Sequence, residues 1–280
     1  MIASEQSIWF VGDLGDPWVV SIADALPRSA CRLACSGDWP DGLLDDIPVP
    51  ATVVLHRAQL GSRDAERLAR LRKERAGALW VVLCVGPHAR YVDLARWSPL
   101  ADVVLPEATA SETIARHVAG AGGEGRGGPS AGRTHSARPC IDVVSTNYEL
   151  RETLAEICHA AGYPTRKGAD WLELAPVSGS LAVWDVPVLE ADWGRALARR
   201  SESGGVVALI GFADRAQVAQ ARAHGALACL DLPCDPADLI DVLERVSASR
   251  CDRNHEVPPP PRVLRRGQKV VVEPGSGAYN

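Results

Sequence analysis

The amino-acid sequence predicts an α/β protein made of two doubly wound, parallel-sheet domains in tandem. Short apolar runs rich in β-branched residues alternate with amphipathic helical stretches in both halves of the 280-residue chain. This alternation is typical of a parallel sheet with helices on both faces, since right-handed crossovers place the helices there. A glycine-rich segment, 120–139, separates the halves. We therefore expect a first domain in residues 1–119 and a second in residues 140–249.

The first half contains five candidate strands and four candidate helices. The strands are apolar runs at 8–11, 31–35, 52–55, 79–85 and 102–105. Between them, helical periodicity predicts helices over 18–26, 63–75, 90–97 and 111–118. Both halves end in a strand, a proline-containing turn and an amphipathic helix, which indicates an internal duplication.

The second half repeats this order with clearer helix boundaries. Its predicted strands are 140–145, 181–184, 206–210 and 226–230. Asn147, Asp214 and Asp235 are the predicted N-caps of three helices, because short polar side chains accept hydrogen bonds from free N–H groups there. Gly162 and Gly225 are predicted to end the first two of these helices.

Two further segments differ from the domains in composition. Residues 120–139 contain no aliphatic side chain larger than alanine, so we expect a flexible linker. Residues 250–280 form a proline-rich and basic tail that contains a valine run; its marked residues are Pro258–Pro261, Arg262, Arg265, Arg266, Lys269 and Val270–Val272. The basic cluster could contact an acidic partner, and the valines could add a strand to a sheet edge. Disorder, or packing against the chain's own domain, are the alternatives.

Composition excludes several classes of protein. A formal charge of −5 argues against sequence-independent DNA binding, which needs clustered Lys and Arg. We see no signal peptide and no apolar run near the ~20 residues that span a bilayer, so we expect a cytoplasmic protein. The eight cysteines lack zinc-site spacing. Neither a P-loop nor a G-x-S-x-G motif is present. We predict no enzyme activity, no metal and no cofactor.

The second half resembles the receiver domain of two-component response regulators, which is a flavodoxin-like fold. The segments that carry the resemblance are VVSTNYELRETLAEICHAAGYPTRKGAD, LAVWDVPVLEADWG and GVVALIGFADRAQVAQARAHGALACLDLPCDPADLIDVLERV. The resemblance implies a site at the carboxyl ends of the strands, where open α/β sheets bind ligands. In the family, this site has two acidic residues that hold Mg²⁺, a phosphoacceptor Asp, a Thr or Ser, and a Lys.

The second half keeps one of these five positions. Asp185 lies at the phosphoacceptor position, whereas Ser145 and Thr146 replace the acidic pair. Ile210 replaces the hydroxyl residue and Leu232 replaces the lysine. Without the acidic pair, Mg²⁺ loses its main protein charge. We therefore interpret this half as a pseudo-receiver, in which Asp185 is a strand-end polar residue.

The first half departs further from the family. Gly12 and Asp13 follow its first strand, with Asp16 nearby, so one acid of the pair remains at most. His56 lies at the phosphoacceptor position, and Glu107 replaces the lysine. A carboxylate at that position would repel a phosphoryl group. We expect a degenerate receiver-like domain that does not take part in phosphotransfer.

Three hypotheses for function follow. The first is a signalling or scaffold protein of the two-component type that works through protein contacts, with a homo-oligomer as one form. The second is a phosphorylatable regulator that uses Asp185, and the third is a nucleotide or small-molecule sensor at the strand carboxyl ends. In receivers, the face of the last strand and its flanking helices commonly binds partners, which implies 214–246 and 90–118 here. Trp18, Trp97 and Trp193 are candidate partner contacts; packing within their own domains is the alternative.

Overall fold

A computed structural model describes residues 8–34, 50–59, 61–74, 78–87, 89, 91–120, 138–171, 173–175, 177 and 179–255. These residues form two domains, each built on one five-stranded parallel sheet. The predicted linker lies mostly outside them, as does the predicted tail beyond residue 255. The α/β class and the tandem arrangement of two parallel-sheet domains are confirmed.

The first domain contains strands β1 to β5 and helices α1 to α4. The strands are Ile8–Gly12, Cys31–Ala34, Thr52–Arg57, Trp80–Val85 and Val103–Pro106. The helices are Pro17–Asp24, Ser62–Glu74, Tyr91–Trp97 and Glu107–Ala119, with a short 3₁₀ turn at Ser98–Leu100. Helix α4 begins at Glu107, four residues before the predicted start, so Glu107 is the first residue of a helix.

The second domain contains strands β6 to β10 and helices α5 to α8. The strands are Ile141–Val144, Thr165–Gly168, Leu181–Asp185, Gly205–Gly211 and Ala228–Leu232. The helices are Tyr148–Ala160, Trp193–Ser203, Arg215–Ala223 and Pro236–His255. Strand β7 and helix α6 were not assigned from the sequence. Helix α8 continues to His255, into the range predicted for the tail.

Both sheets have the same strand order. The order is β2-β1-β3-β4-β5 in the first domain and β7-β6-β8-β9-β10 in the second, with every pair parallel. This is the 2-1-3-4-5 order of flavodoxin-like folds. Each domain therefore has a receiver-like topology, and the carboxyl ends of its strands meet at one edge of its sheet.

Alternate residues of the central strands are buried on opposite faces of each sheet, so each sheet is covered on both faces. In β1, Phe10 packs into one apolar cluster, whereas Trp9 and Val11 pack into the cluster on the opposite face. In β9, Ala208 and Leu209 divide between two clusters in the same way. Alternation of this kind makes nearly all residues of a central strand apolar.

The predicted helix caps are observed at several boundaries. Asn147 accepts a hydrogen bond from the Leu150 N–H at 3.1 Å. Asp214 and Gln217 form a capping box at the start of α7. Gly225 follows α7 with φ +96°, and an added Cβ would lie 2.7 Å from Ser201 Cβ. A side chain is therefore excluded there by both conformation and space.

No helix among the described residues is long and apolar enough to span a membrane.

A buried ionic cluster connects the second sheet to α6, at the edge opposite the strand carboxyl ends. Asp142 in β6 is fully buried and accepts hydrogen bonds from Arg200, from Arg166 Nε at 2.7 Å and from Ser180 Oγ at 3.2 Å. The Arg200 side chain is only 4% exposed. Burial lowers the pKa of Arg200, whereas the charge of Asp142 opposes that change. Asp142 therefore compensates a guanidinium that has little access to water.

We expect Asp142→Asn to destabilise the second domain by about 3 kcal/mol, because it leaves the Arg200 charge buried without its carboxylate. Urea unfolding at pH 7, followed by far-UV circular dichroism, measures the change. The matched control is Asp192→Asn, whose side chain is 81% exposed; it should change stability by less than about 0.5 kcal/mol. Equal effects of the two substitutions would contradict the assignment.

Candidate functional site

The structure brings together two of the predicted site residues of the first domain. His56 lies in β3 near its carboxyl end, and Glu107 opens α4 directly after β5. His56 Nε2 lies 2.7 Å from Glu107 Oε2, and both side chains are buried. The phosphoacceptor and lysine positions of the resemblance are therefore occupied by a hydrogen-bonded histidine and carboxylate.

The other predicted positions of this domain are not part of that pair. Asp13 is exposed, and its Oδ1 accepts a hydrogen bond from the Gly15 N–H at 2.9 Å. Gly12 is packed closely, since an added Cβ would lie 2.9 Å from Val19 Cγ1. Asp13 thus stabilises the turn that follows β1.

An arginine from the second domain completes the site of the first. Arg215, the first residue of α7, donates from Nε to Glu107 Oε1 at 2.6 Å and from Nη2 to Oε2 at 2.9 Å. Its Nη1 donates to Asp16 Oδ2 at 2.7 Å. Asp16 is also the N-cap of α1 and accepts from the Trp18 N–H. We name Asp16, His56, Glu107 and Arg215 the interdomain ionic site.

The charges of this site shift its pKa values strongly. Burial would raise the pKa of Glu107, but hydrogen bonds from His56 and Arg215 and the charge of Arg215 lower it to about 2. At Asp16, burial is likewise outweighed by hydrogen bonds from Arg215 and Trp18, so its pKa is lowered. The hydrogen bond to Glu107 raises the pKa of Arg215. Both carboxylates are therefore ionised at neutral pH, and the guanidinium is shared between them.

Trp18 contributes to the contact between the domains. Its indole Nε1 donates to the Glu107 carbonyl at 3.0 Å, and its ring lies 5.7 Å from the Arg215 guanidinium and 5.9 Å from that of Arg222. It packs against apolar clusters of both domains. Trp97 and Trp193, by contrast, are buried in the cores of their own domains. Of the three tryptophans, Trp18 alone lies between the domains.

Further ion pairs join α4 to the second domain. Arg116 Nε donates to Asp238 Oδ1 at 2.6 Å, and His117 Nε2 lies 3.2 Å from the same carboxylate. Glu112 pairs with Arg222 at 3.0 Å. Helix α4 packs against α7, β10 and α8. The two faces that the resemblance assigns to partner binding, 90–118 and 214–246, thus contact each other within one chain.

A groove of about 300 Å³ lies between the two edge strands, β5 and β10. Its ionisable lining is mostly acidic; it comprises Asp102, His117, Asp231, Cys234, Asp235 and Asp238. Burial raises the pKa of Asp231, although its carboxylate accepts a hydrogen bond from the Ala213 N–H at 2.6 Å. An acidic lining disfavours a phosphate-bearing ligand.

In the second domain, the structure places Ser145 beside Asp185. Ser145 Oγ donates to Asp185 Oδ2 at 2.7 Å and accepts from the Asn147 N–H at 3.1 Å. Ser145 is buried, Asp185 is half-buried and Thr146 is exposed. The strand end after β6 therefore offers Asp185 a hydroxyl group and no carboxylate.

The two remaining predicted positions of this domain are apolar. Ile210 is fully buried in the core cluster that contains Trp184 and Trp193. Leu232, the last residue of β10, is half-buried and packs against the cluster on the other face of the sheet. The positions of the hydroxyl residue and the lysine are thus filled by side chains that contribute to the hydrophobic core.

Sequence reasoning missed Arg215. It follows the predicted N-cap Asp214, so its place at a strand carboxyl end was available from the pattern. Its partner, Glu107, is 108 positions away and belongs to the other domain. The sequence contains no signal that pairs them.

Comparison with known proteins gives structural likenesses only. No family model matches the chain, and no curated protein matches it. Solved structures that resemble part of it include a CheY-like response regulator receiver domain protein from Methanospirillum hungatei, with 18% identity and a TM-score of 0.38 over 42% of this chain and 99% of that one. A response regulator from Thermotoga maritima matches with 14% identity and a TM-score of 0.36, over 40% and 99% of the two chains.

A third likeness is to a response regulator protein from Burkholderia pseudomallei, solved with a phosphorylated aspartic acid, a calcium ion and citrate. It has 19% identity and a TM-score of 0.35, over 42% of this chain and 73% of that one. Each of these matches covers about as much of this chain as one of its two domains.

We expect Arg215→Gln to loosen the contact between the domains. The substitution removes the cation that compensates Glu107, which is 3% exposed, and should cost about 2 kcal/mol, between the values for exposed and buried pairs. Hydrogen exchange of α4 and urea unfolding measure the effect. Arg195→Gln, at a side chain that is 79% exposed, is the control. Unchanged exchange in α4 would show that Arg215 does not hold the domains together.

Lowering the pH should decrease the stability of the fold, because Glu107 becomes protonated. The pKa of Glu107 is about 2 in the folded state and near 4.5 in the unfolded state. Its contribution to the free energy of unfolding is therefore complete above about pH 4.5 and is lost as the pH falls toward 2. The stability difference between the unmodified chain and Glu107→Gln should shrink over this range, by on the order of 3 kcal/mol. Urea unfolding at pH 7, 4 and 3 measures it, with the exposed Glu190→Gln as control. A difference that does not change with pH would contradict the assignment.

Proposed function

We propose that this protein is a signalling scaffold of the two-component type, which works through protein contacts and accepts no phosphoryl group in either domain. Both domains have the receiver-like strand order, and the sequence of the second resembles receivers directly. The observation that carries the proposal is the interdomain ionic site, which occupies the strand carboxyl ends of the first domain. There, two carboxylates already share the guanidinium of Arg215.

The chemistry of the first domain supports this proposal. Phosphoryl transfer requires cations near the transferring group, because negative charge must be offset. At the lysine position the chain has Glu107, whose lowered pKa keeps it negative at neutral pH. Arg215 brings positive charge, but its donors are directed to Glu107 and Asp16.

The second domain supports it for a different reason. Asp185 is half-buried at the end of β8, which is a suitable place for a phosphoacceptor, and it accepts a hydrogen bond from Ser145. Mg²⁺ takes oxygen ligands and is usually held by carboxylates. The neighbouring strand end provides Ser145 and Thr146 in place of the acidic pair that would concentrate the metal. Its accessibility is the observation that favours the alternative, a regulator phosphorylated on Asp185.

The contact between the domains bears on how partners would bind. Helix α4 packs against α7, β10 and α8, so these elements are engaged within the chain. Partner proteins would therefore recognise the two domains as one unit, through surfaces away from this contact. Arg116, Asp238 and Glu112 would hold that unit together in the absence of a phosphoryl signal.

Treatment with acetyl phosphate and Mg²⁺ tests the proposal. We expect no stable gain of a phosphoryl mass by intact mass spectrometry, whereas a receiver with a complete acidic site should gain one in the same solution. A mass gain that Asp185→Asn removes and Asp192→Asn retains would overturn the proposal and support the phosphorylated regulator. Asp192 is an appropriate control because its side chain is exposed and lies in the loop after β8.

A further inference from the structure

Three large apolar side chains are exposed at the strand carboxyl edge of the second domain. Tyr148 is 66% exposed, Leu189 is 99% exposed and Phe212 is 89% exposed. They follow β6, β8 and β9, which are neighbours in the sheet, so their loops lie side by side. These are the three most exposed large apolar side chains among the described residues. We name them the apolar edge patch.

The conformation of Phe212 indicates that its exposure is built into the fold. Phe212 has φ +52°, the only positive φ at a non-glycine residue in the described part of the chain. This region is unfavourable for a bulky side chain, and such outliers cluster at functional positions. The loop is fixed on its far side by the Ala213 N–H, which donates to Asp231 at 2.6 Å, and by the Asp214 capping box. The surrounding structure therefore holds the ring in the solvent.

The surroundings of the patch are predominantly acidic. Glu149 and Glu190 are exposed next to Tyr148 and Leu189 in the sequence, and Asp192 follows in the same loop. Arg151 lies over the Tyr148 ring and donates to the Ser145 carbonyl at 2.6 Å. An apolar patch with carboxylates at its margin favours a segment in which apolar residues alternate with basic ones.

We propose that the apolar edge patch binds residues 262–272 of the same chain. This segment, RVLRRGQKVVV, combines three arginines and a lysine with Val263, Leu264 and the valine run. Its apolar side chains would cover the patch, and its basic side chains would face Glu149 and Glu190. The chemistry of the segment thus matches both parts of the surface.

The length of the chain permits this contact. Helix α8 starts at the carboxyl edge of the sheet and ends at His255, about 30 Å away at 1.5 Å per residue. Residues 256–272 extend over at most about 55 Å, so the valine run can return to the patch. Because the segment is tethered, its effective concentration is high, and a weak contact is enough to be occupied.

Hydrogen exchange of the full chain, followed by mass spectrometry, tests the proposal. Amides in 262–272 should exchange about tenfold more slowly in the unmodified chain than in the double variant Leu189→Ser, Phe212→Ser. Val92→Ser is the matched control, since Val92 is 65% exposed in the first domain; it should retain the protection. Equal exchange of the segment in all three proteins would overturn the proposal.

Substitutions in the segment itself, and changes in protein concentration and salt, give two further tests of the contact. Replacing Val270, Val271 and Val272 by serine should accelerate hydrogen exchange in residues 186–192 and 211–214. This variant leaves the sequence of both domains unchanged. Protection should be independent of protein concentration and should weaken as salt rises, because charges contribute to the contact. Protection that disappears on dilution would assign the segment to a second copy of the chain and overturn the intramolecular contact.

Discussion

The buried carboxylate of Glu107 is the constraint on which the arrangement of the two domains depends. An ionised carboxylate removed from water needs hydrogen bonds and an opposite charge, because an uncompensated buried charge is very unfavourable. The first domain provides His56, but its guanidinium partner comes from the second domain. The opposite charge that buried Glu107 needs is therefore supplied by the neighbouring domain. These ion pairs and the packing around Trp18 together hold the two domains in contact.

This constraint also changes what the strand carboxyl ends of the first domain can do. An open α/β sheet normally leaves this edge free for a ligand. Here Asp16 and Glu107 are both negative and share Arg215, so the positive charge of this guanidinium is already compensated by two carboxylates. An internal ion-pair network therefore occupies the edge of the sheet where open α/β folds bind ligands.

The sequence predicted the fold well because the central strands are buried on both faces and are almost entirely apolar. Strand β7 was missed because an edge strand is only partly buried, and its residues, TRKG, are largely polar. Glu107 and His56 were identified singly, from their places after strands. The contact of this pair with Arg215 could not be predicted. It depends on how α4 packs against α7, and local periodicity contains no information on that packing.

The two domains illustrate how one topology can use its strand carboxyl edge in opposite ways. In the first domain the edge is charged, buried and covered by the neighbouring domain. In the second, Ile210 and Leu232 stand at the hydroxyl and lysine positions of the resemblance and pack into apolar clusters on opposite faces of the sheet. At the same edge, the side chains of Leu189 and Phe212 are exposed to solvent. The second edge therefore presents exposed apolar side chains beside the exposed carboxylates of Glu149 and Glu190.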